Sequence, residues 1–249
     1  MTTDTMEIDV SEDWATACDV QERFMQRPAD EMDRLEYAAL CRQVRALGGD
    51  GYDFLPLGEQ KLGMAIGDAS GKSVAAALMI SSVQASLRTA VSFAGEEPAA
   101  VLAAVNANVY ASSLADRYAT LFYGVYDGQT RTMRYANAGH NSPLVIRKDG
   151  TVSLLERGGV PVGIFPKWGY EEGLVAFEPG DLIVAYTDGV SEARNEAGEE
   201  WGEAGIRMAI KESVEKKPEV IAAQIFGAME EFSHGRQTDD ATVIVALVR

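Results

Sequence analysis

The sequence predicts an α+β fold in which two antiparallel β-sheets pack face to face and helices cover their outer faces. Strand-like segments dominate two stretches of the chain and are joined by short turns, which is typical of antiparallel hairpins. The helical segments come in adjacent pairs, so the regular alternation of strands and helices that marks a parallel sheet is missing. Neither a repeat nor a linker divides the 249 residues. We therefore expect a single domain over residues 11–249.

The N-terminal part of the chain is expected to contain a tail, a helix and a first group of strands. The acidic segment 1–10 is predicted to be a disordered tail. Apolar residues at helical spacing predict an N-terminal helix over residues 11–28, which Pro28 ends. The expected strands are 35–47, 52–57 and 61–67, the last two forming a hairpin.

Two long helices and a strand-rich half follow. Ser73–Ser92 carries apolar residues along one face, and Pro98 suits the first turn of a second helix that ends near Ser113. Beyond them, Asp-Gly turns separate short β segments, which is a hairpin signal. The predicted strands are 119–126, 132–136, 143–147, 151–155, 174–177, 182–187 and 242–248, with helices at 205–214 and 218–232.

The composition excludes several classes of protein. A net charge of −16, from 38 acidic and 22 basic residues, argues against a general nucleic-acid or membrane-surface binder. The apolar runs are too short for a membrane span, and the N-terminus lacks the basic start of a signal peptide. Two cysteines, Cys18 and Cys41, are too few for a disulfide framework. We expect a cytoplasmic protein.

Short acidic motifs stand where strands are predicted to begin or end. They contain Asp50, Asp68, Asp188 and the pair Asp239-Asp240. Carboxylates so far apart in sequence come together only where a positive charge offsets their repulsion. Because the chain has two His and two Cys residues, oxygen ligands around hard divalent cations are the chemistry that this pattern favours. The sequence therefore predicts a metal-dependent hydrolase.

The segment Gly67–Ser73 also resembles a phosphate-binding P-loop. An apolar strand leads into a glycine-bounded loop that ends in Gly-Lys-Ser and opens a helix. A P-loop needs four residues between its glycines, whereas Gly67 and Gly71 are separated by three. Asp68 would also place a negative charge inside a phosphate cradle. A P-loop-like nucleotidase remains an alternative.

Five motifs occur in order along the chain: Gly48–Asp53, Gly67–Lys72, Asn137–Pro143, Glu178–Ala193 and Thr238–Thr242. Through these motifs the chain resembles the SpoIIE/RsbU-like branch of the PPM family, the bacterial relatives of protein phosphatase 2C, and the resemblance covers residues 15–249. This resemblance implies an αββα sandwich with a metal site at one sheet edge and two Mn²⁺ or Mg²⁺ ions. It also implies hydrolysis of phosphoserine or phosphothreonine on a regulatory protein, the expected substrate being a phosphorylated anti-sigma-factor antagonist.

The resemblance also assigns roles to individual residues. Asp68 would bridge both metals, Asp50 and the backbone carbonyl of Ala69 would complete one metal shell, and Asp188 and Asp239 would hold the other. Two neighbouring carboxylates, Asp53 and Asp240, are expected to support this set without binding metal, although Asp239 and Asp240 could exchange roles.

The chain departs from the eukaryotic relatives at two points. Ser70 replaces a histidine that is a candidate acid for the leaving alcohol, and no arginine near Asp50 clearly matches the one that steadies the phosphate. We interpret His140 as a residue that ties a turn together by hydrogen bonds rather than as a substitute acid. A metal-binding regulator without activity is a further alternative. The two long helices are either the surface through which a regulatory protein partner acts on the Asp68 loop or only a cover for the sheet, and both interpretations stay open.

Overall fold

The computed structural model describes residues 10–25, 32–113 and 116–249. Six helices and eleven strands are defined within these ranges. The helices are α1 (Val10–Phe24), α2 (Val74–Ala94), α3 (Pro98–Ser112), α4 (Asp188–Ser191), α5 (Gly202–Glu212) and α6 (Pro218–Phe232). The strands are β1 (Leu35–Arg42), β2 (Asp50–Pro56), β3 (Lys61–Ala69), β4 (Ala119–Asp127), β5 (Thr132–Ala138), β6 (Leu144–Ile146), β7 (Val152–Leu154), β8 (Gly158–Gly159), β9 (Gly173–Ala176), β10 (Leu182–Tyr186) and β11 (Ala241–Val248).

The strands form two sheets. The first sheet has the order β1-β11-β10-β6-β7, and the second has the order β2-β3-β4-β5-β8 with β9 also paired to β5. All pairings are antiparallel except the two-residue contact of β8 with β5. Strand β11 lies in the middle of the first sheet, and all eight of its residues are buried, which explains why this segment is an uninterrupted apolar run.

The two sheets and four of the helices make a four-layered sandwich. Apolar side chains of both sheets, such as Phe54, Phe122 and Ile244, fill the space between the sheets. Helices α2 and α3 cover the second sheet with a separate core that includes Ile80. Helices α5 and α6 cover the first sheet through residues such as Ile221. The predicted αββα arrangement is confirmed.

Helix α2 is a core helix of this sandwich. Among the described residues it is the one helix long and apolar enough to cross a membrane by length and composition. Its buried stripe includes Ile80, Val83 and Leu87 and faces the second sheet. Packing in the sandwich therefore accounts for its apolar character.

Several predicted boundaries differ from the structure near the acidic motifs. The first strand ends at Arg42 rather than at residue 47, because the following loop turns back and is held by distant side chains. Strand β2 begins at Asp50 and β3 continues to Ala69, so Asp50 and Asp68 lie within paired strands. The sequence pattern missed the short helix α4 and strand β8.

The N-terminal predictions are covered in part. Helix α1 begins at Val10, one residue before the predicted start, and ends at Phe24. Residues 1–9 of the predicted tail and residues 26–28 of the predicted helix lie outside the described residues. The buried side chain of Gln21 fixes α1 to the loop before β2, because it donates to the Gly48 carbonyl (2.7 Å) and accepts from the Gly48 N–H (3.1 Å).

Candidate metal centre

The β2–β3 hairpin places two of the predicted ligands opposite each other. Asp50 and Asp68 are direct partners in the antiparallel register, so their side chains share one face of the second sheet. The Ala69 N–H donates to the Gly49 carbonyl (3.0 Å). The Ala69 carbonyl oxygen lies 3.1 Å from the position that a Cβ on Gly49 would occupy, and the Gly71 carbonyl lies 3.3 Å from it. The absence of a side chain at Gly49 therefore leaves space in front of two backbone carbonyls.

The first sheet contributes the other two predicted ligands. Asp188 follows β10 and opens α4, and Asp239 precedes β11, the neighbouring strand. A Cβ on Gly189 would lie 1.9 Å from the Asp240 carbonyl oxygen and 3.1 Å from the Cβ of Asp239. Only glycine fits there, and the turn after Asp188 therefore packs directly against the Asp239-Asp240 segment.

Asp50 joins the two sheets at this edge. Its Oδ2 accepts hydrogen bonds from the fully buried hydroxyls of Thr187 (2.8 Å), which directly follows β10, and Thr242 (2.7 Å), which lies in β11. Neither threonine is among the residues selected from the sequence. Each is within three residues of a predicted ligand, and a hydroxyl next to an acidic motif at the end of a buried strand is the signal that could have identified them.

The acidic residues form one electrostatic group. Burial, followed by repulsion from Asp50, Asp188 and Asp239, raises the pKa of Asp68 to about 9. Burial also raises the pKa of Asp50 to about 7, against the opposing effect of the threonine hydroxyls, and raises the pKa of Asp188. Carboxylates with such raised pKa values lack a compensating positive charge. A bound cation would supply that charge.

The structure distinguishes the roles of Asp239 and Asp240. Both carboxylate oxygens of Asp240 are engaged, since Oδ1 accepts from the Val44 N–H (2.7 Å) and Oδ2 from the Gly49 N–H (2.8 Å). Asp239 is more exposed, and its Oδ2 forms an ion pair with Lys72 Nζ (2.5 Å). Asp240 thus holds the loop before β2, whereas Asp239 presents a carboxylate at the surface of the site.

The donor chemistry fits a hard divalent cation. The four carboxylates and the Ala69 carbonyl are all oxygen ligands, the type that Mg²⁺ and Mn²⁺ take. Within the described residues, no group of three His, Cys, Asp or Glu side chains is arranged to hold a metal ion by side chains alone. A cation here would therefore need the backbone carbonyl and water in its shell, as is common for Mg²⁺.

Two of the other residues selected from the sequence have structural roles. Asp53 is buried and accepts a hydrogen bond from Arg88 Nε (2.6 Å) on α2, and its expected supporting role beside the ligands stays a prediction. The backbone N–H of His140 donates to Asn137 Oδ1 (2.7 Å), and Asn137 Nδ2 donates to the backbone carbonyl of His140 (2.9 Å). Burial lowers the pKa of His140 to about 4. The imidazole is therefore neutral at physiological pH, and the turn-forming interpretation is confirmed.

Positive side chains lie beside the acidic edge. Arg45, five residues before Asp50, donates from Nη1 to the Lys72 carbonyl (2.8 Å). Arg117 donates from Nη1 to the Ser70 carbonyl (3.0 Å). Arg45, Lys72 and Asp239 also line a cavity of about 60 Å³. The loop between β1 and β2 thus folds back over the loop after β3 and brings Arg45 to the acidic edge.

Comparison with known proteins identifies the family. The family model described as stage II sporulation protein E (SpoIIE) matches residues 58–249, which is most of the chain and includes Asp68, Asp188 and Asp239. The chain belongs to the SpoIIE family. The family and fold predicted from the sequence are confirmed, and the matches below support the predicted class of enzyme, a protein phosphatase.

Curated relatives are similar over nearly the whole chain. Phosphoserine phosphatase RsbU of Bacillus subtilis is 27% identical over 92% of this chain, which spans 68% of RsbU. Protein IcfG of Synechocystis is 26% identical over 90% of the chain, which spans only 40% of that relative. This SpoIIE-family chain therefore matches only one part of IcfG, which is the longer protein.

Solved structures share the fold. The SiaA-PP2C domain of Pseudomonas aeruginosa superposes with a TM-score of 0.83 at 19% identity, covering 96% of this chain and 97% of that domain. The catalytic domain of the serine/threonine phosphatase PstP, solved with two manganese ions, has a TM-score of 0.64 at 18% identity and covers 86% of this chain and 98% of its own. RsbX, solved with magnesium, has a TM-score of 0.66 at 16% identity, covering 88% of this chain and 98% of its own.

Proposed function

We propose that this domain is a metal-dependent protein phosphatase that hydrolyses a phosphoserine or phosphothreonine on a regulatory protein. The observation that carries the proposal is the convergence of Asp50, Asp68, Asp188 and Asp239 from both sheets onto one edge, where burial and mutual repulsion raise the pKa of Asp68 to about 9. A group of acids in this state is suited to cations and unsuited to a neutral ligand. The relation to RsbU, a phosphoserine phosphatase, supports the same activity.

The predicted ligands divide between two ions, Mn²⁺ or Mg²⁺. Asp50 and the Ala69 carbonyl would hold one ion, Asp188 and Asp239 would hold the other, and Asp68 would contact both. Bound divalent ions in such a site supply an activated water and neutralise phosphoryl charge. The two manganese ions in the PstP structure support this number.

The remaining polar residues of the site position these groups and the substrate. Thr187 and Thr242 fix the carboxylate of Asp50 by their hydroxyl hydrogen bonds. Arg45 and Lys72 supply positive charge at the open side, where a phosphate would otherwise meet a strongly acidic protein. Since burial lowers the pKa of His140 to about 4 and keeps its imidazole neutral, with Nδ1 hydrogen-bonded to Thr120 Oγ1 (2.8 Å), we expect water rather than His140 to protonate the leaving alcohol.

The substrate and partners follow from the relatives. We infer a phosphorylated anti-sigma-factor antagonist as the substrate class, since RsbU and RsbP are phosphoserine phosphatases of this family type.

A regulatory protein would bind the outer surface of α2 and α3. Leu78 and Phe93 are exposed there, and the two helices contain a single charged residue, Arg88. The two cysteines are free, in keeping with the cytoplasm.

The nucleotidase alternative does not fit the geometry. Strand β3, which leads into the loop after Asp68, is antiparallel to both of its neighbours, whereas a P-loop joins a strand of a parallel sheet to a helix. The loop also directs the carbonyls of Ala69 and Gly71 toward Gly49, and carbonyl oxygens repel phosphate.

One assay separates the three interpretations. Hydrolysis of a phosphoserine peptide, p-nitrophenyl phosphate and ATP is measured with Mn²⁺, with Mg²⁺ and with chelator. The proposal predicts hydrolysis of the first two substrates only with metal, and little hydrolysis of ATP. Activity that persists in metal-stripped protein, or preference for ATP, contradicts it, and no activity under any condition identifies a silent regulator.

A further inference from the structure

A groove of about 890 Å³ lies at the end of the first sheet that is remote from the acidic residues. Helix α5 and the β6–β7 hairpin form its walls, and residues such as Leu182 and Leu247 form its floor. Leu182 begins β10, whereas Asp188 follows its other end, and Leu247 stands at the far end of β11 from Asp239. Eight residues of β11 span about 25 Å at about 3.3 Å per residue. The groove is therefore separate from the candidate metal centre.

The charge of this groove is opposite to that of the whole protein. The chain has a net charge of −16, yet a single acidic side chain, that of Asp149, is among the residues that line the groove. Its rim is rich in cations, and a local field of this sign attracts acidic groups that the rest of the surface repels. The cationic residues are Arg147, Lys148, Arg207, Lys211, Lys216 and Arg249.

Two of these cations are available for a ligand. Arg147 is held by the buried carboxylate of Asp181 (2.7 Å), and the other two arginines form ion pairs with glutamates. Lys216 donates to a backbone carbonyl. By contrast, Lys148 and Lys211 are exposed, and neither has a side-chain partner within the described part of the chain. They stand on opposite walls, one on the β6–β7 turn and one on α5.

The apolar side chains on the walls of the groove indicate which acidic ligand fits. Ile146 and Val152 are only partly buried against the α5–α6 core, and Met208 on α5 is 59% exposed. A free phosphate or nucleotide phosphate would use the lysines and leave these side chains in water. A peptide that carries both acidic and apolar side chains would use both, and flexible methionine surfaces suit such partners. We propose that this groove docks an acidic, amphipathic peptide segment of a protein partner.

The first test uses charge reversal. A fluorescein-labelled twelve-residue peptide of alternating Glu and Leu is titrated with the full chain, and binding is followed by fluorescence anisotropy. K148E/K211E is expected to weaken binding at least about tenfold, because close charge pairs govern such contacts. The control R23E/K61E makes the same change of net charge outside the groove and is expected to stay within about threefold of the wild type. Equal losses in both variants overturn the proposal.

The second test concerns the apolar side chains of the groove. Met208→Ser is expected to weaken binding of the Glu/Leu peptide but not of an all-Glu peptide, whereas Val214→Ser, at a 95% exposed position outside the groove, changes neither. Stronger binding of inorganic phosphate or of phosphatidylserine vesicles than of the peptide overturns the proposal in favour of a small-anion or membrane site.

Two controls accompany both tests. Unchanged circular dichroism and unfolding midpoints show that the variants are folded. Because the groove is remote from the acidic edge, p-nitrophenyl phosphate hydrolysis is expected to be unchanged in every variant, so failure here is distinguishable from failure of the proposed activity.

Discussion

At the scale of one residue, the carboxylate of Asp68 lowers the folding stability of the metal-free protein at the place where a metal would bind. This carboxylate is paired across the hairpin with Asp50, and its pKa is raised first by burial and then by repulsion from Asp50 and three further carboxylates. Because the pKa is about 9 in the folded protein and about 3.9 in an unfolded chain, ionisation opposes folding. Metal-free protein should therefore lose stability as the pH rises from about 4 toward 9.

Asp68→Asn removes this opposition. We predict that in the presence of chelator the variant unfolds at higher temperature than the wild type at about pH 8, with a gain of about 1–3 kcal/mol after allowance for solvent screening. The gain should shrink as the pH falls and disappear at about pH 3, where the wild-type carboxyl is largely protonated in both states. Thermal unfolding across this pH range measures it. A variant that is less stable at every pH would contradict the electrostatic interpretation.

Asp239 and Asp240 are adjacent but should behave differently. Asp240→Asn leaves the part-buried backbone N–H of Val44 or the buried one of Gly49 without its acceptor, and the loss of the buried bond costs about 1–3 kcal/mol. Asp239→Asn should leave the stability of metal-free protein nearly unchanged and should abolish metal-dependent hydrolysis. Urea unfolding and p-nitrophenyl phosphate assays of the two variants provide the comparison. If Asp240→Asn is the variant that keeps its stability and loses activity, the ligand assignment is reversed.

At the scale of elements, helix α2 lies closest to the acidic hairpin. Ile80 is fully buried, and its side-chain atoms lie 2.8 Å and 3.6 Å from the positions where Cβ atoms on Gly51 and Gly67 would stand. These glycines adjoin Asp50 and Asp68. A shift of α2 would therefore displace the backbone next to Asp50 and Asp68. This contact between Ile80 and the two glycines is the route by which a partner bound to α2 and α3 could act on the site.

A matched pair of substitutions tests this contact. Ile80→Val and the control Ile225→Val, in the core of the first sheet and α6, should each cost about 0.5–1.5 kcal/mol of stability. Only Ile80→Val should also change the apparent Mn²⁺ affinity per folded molecule, by a coupling of about 0.5–2 kcal/mol. The measurement is an activity titration with Mn²⁺. If neither variant moves the affinity, α2 covers the sheet without controlling the site.

Elements whose ends are set by nearby residues were predicted correctly from the sequence. Pro218 begins α6 and the predicted end at Phe232 is correct, because a proline at the first turn and an apolar stripe define that helix. The end of β1 was misplaced because Asp240, almost two hundred residues away, holds the loop that follows. The positions of Thr187 and Arg45 depend on similar long-range contacts, which no pattern within one segment reveals.

At the scale of the whole molecule, the candidate centre lies where the two sheets meet. Asp50 and Asp68 belong to the second sheet and Asp188 and Asp239 flank strands of the first, while the hydroxyls of the first sheet bind Asp50. Strand order brings these segments to one edge although they are far apart in sequence. The acidic motifs predicted which residues meet, and the topology explains why they meet there.

Calorimetric titration of Mn²⁺ into wild type, Asp68→Asn and Asp53→Asn tests the central claim most directly, since it reports metal binding without relying on a substrate. The wild type is predicted to bind Mn²⁺. Asp68→Asn should lose at least about tenfold in affinity, whereas Asp53→Asn, which alters a buried carboxylate paired with Arg88, should bind like the wild type. Wild-type affinity in Asp68→Asn, or equal losses in both variants, would contradict the assignment of this edge as the metal centre.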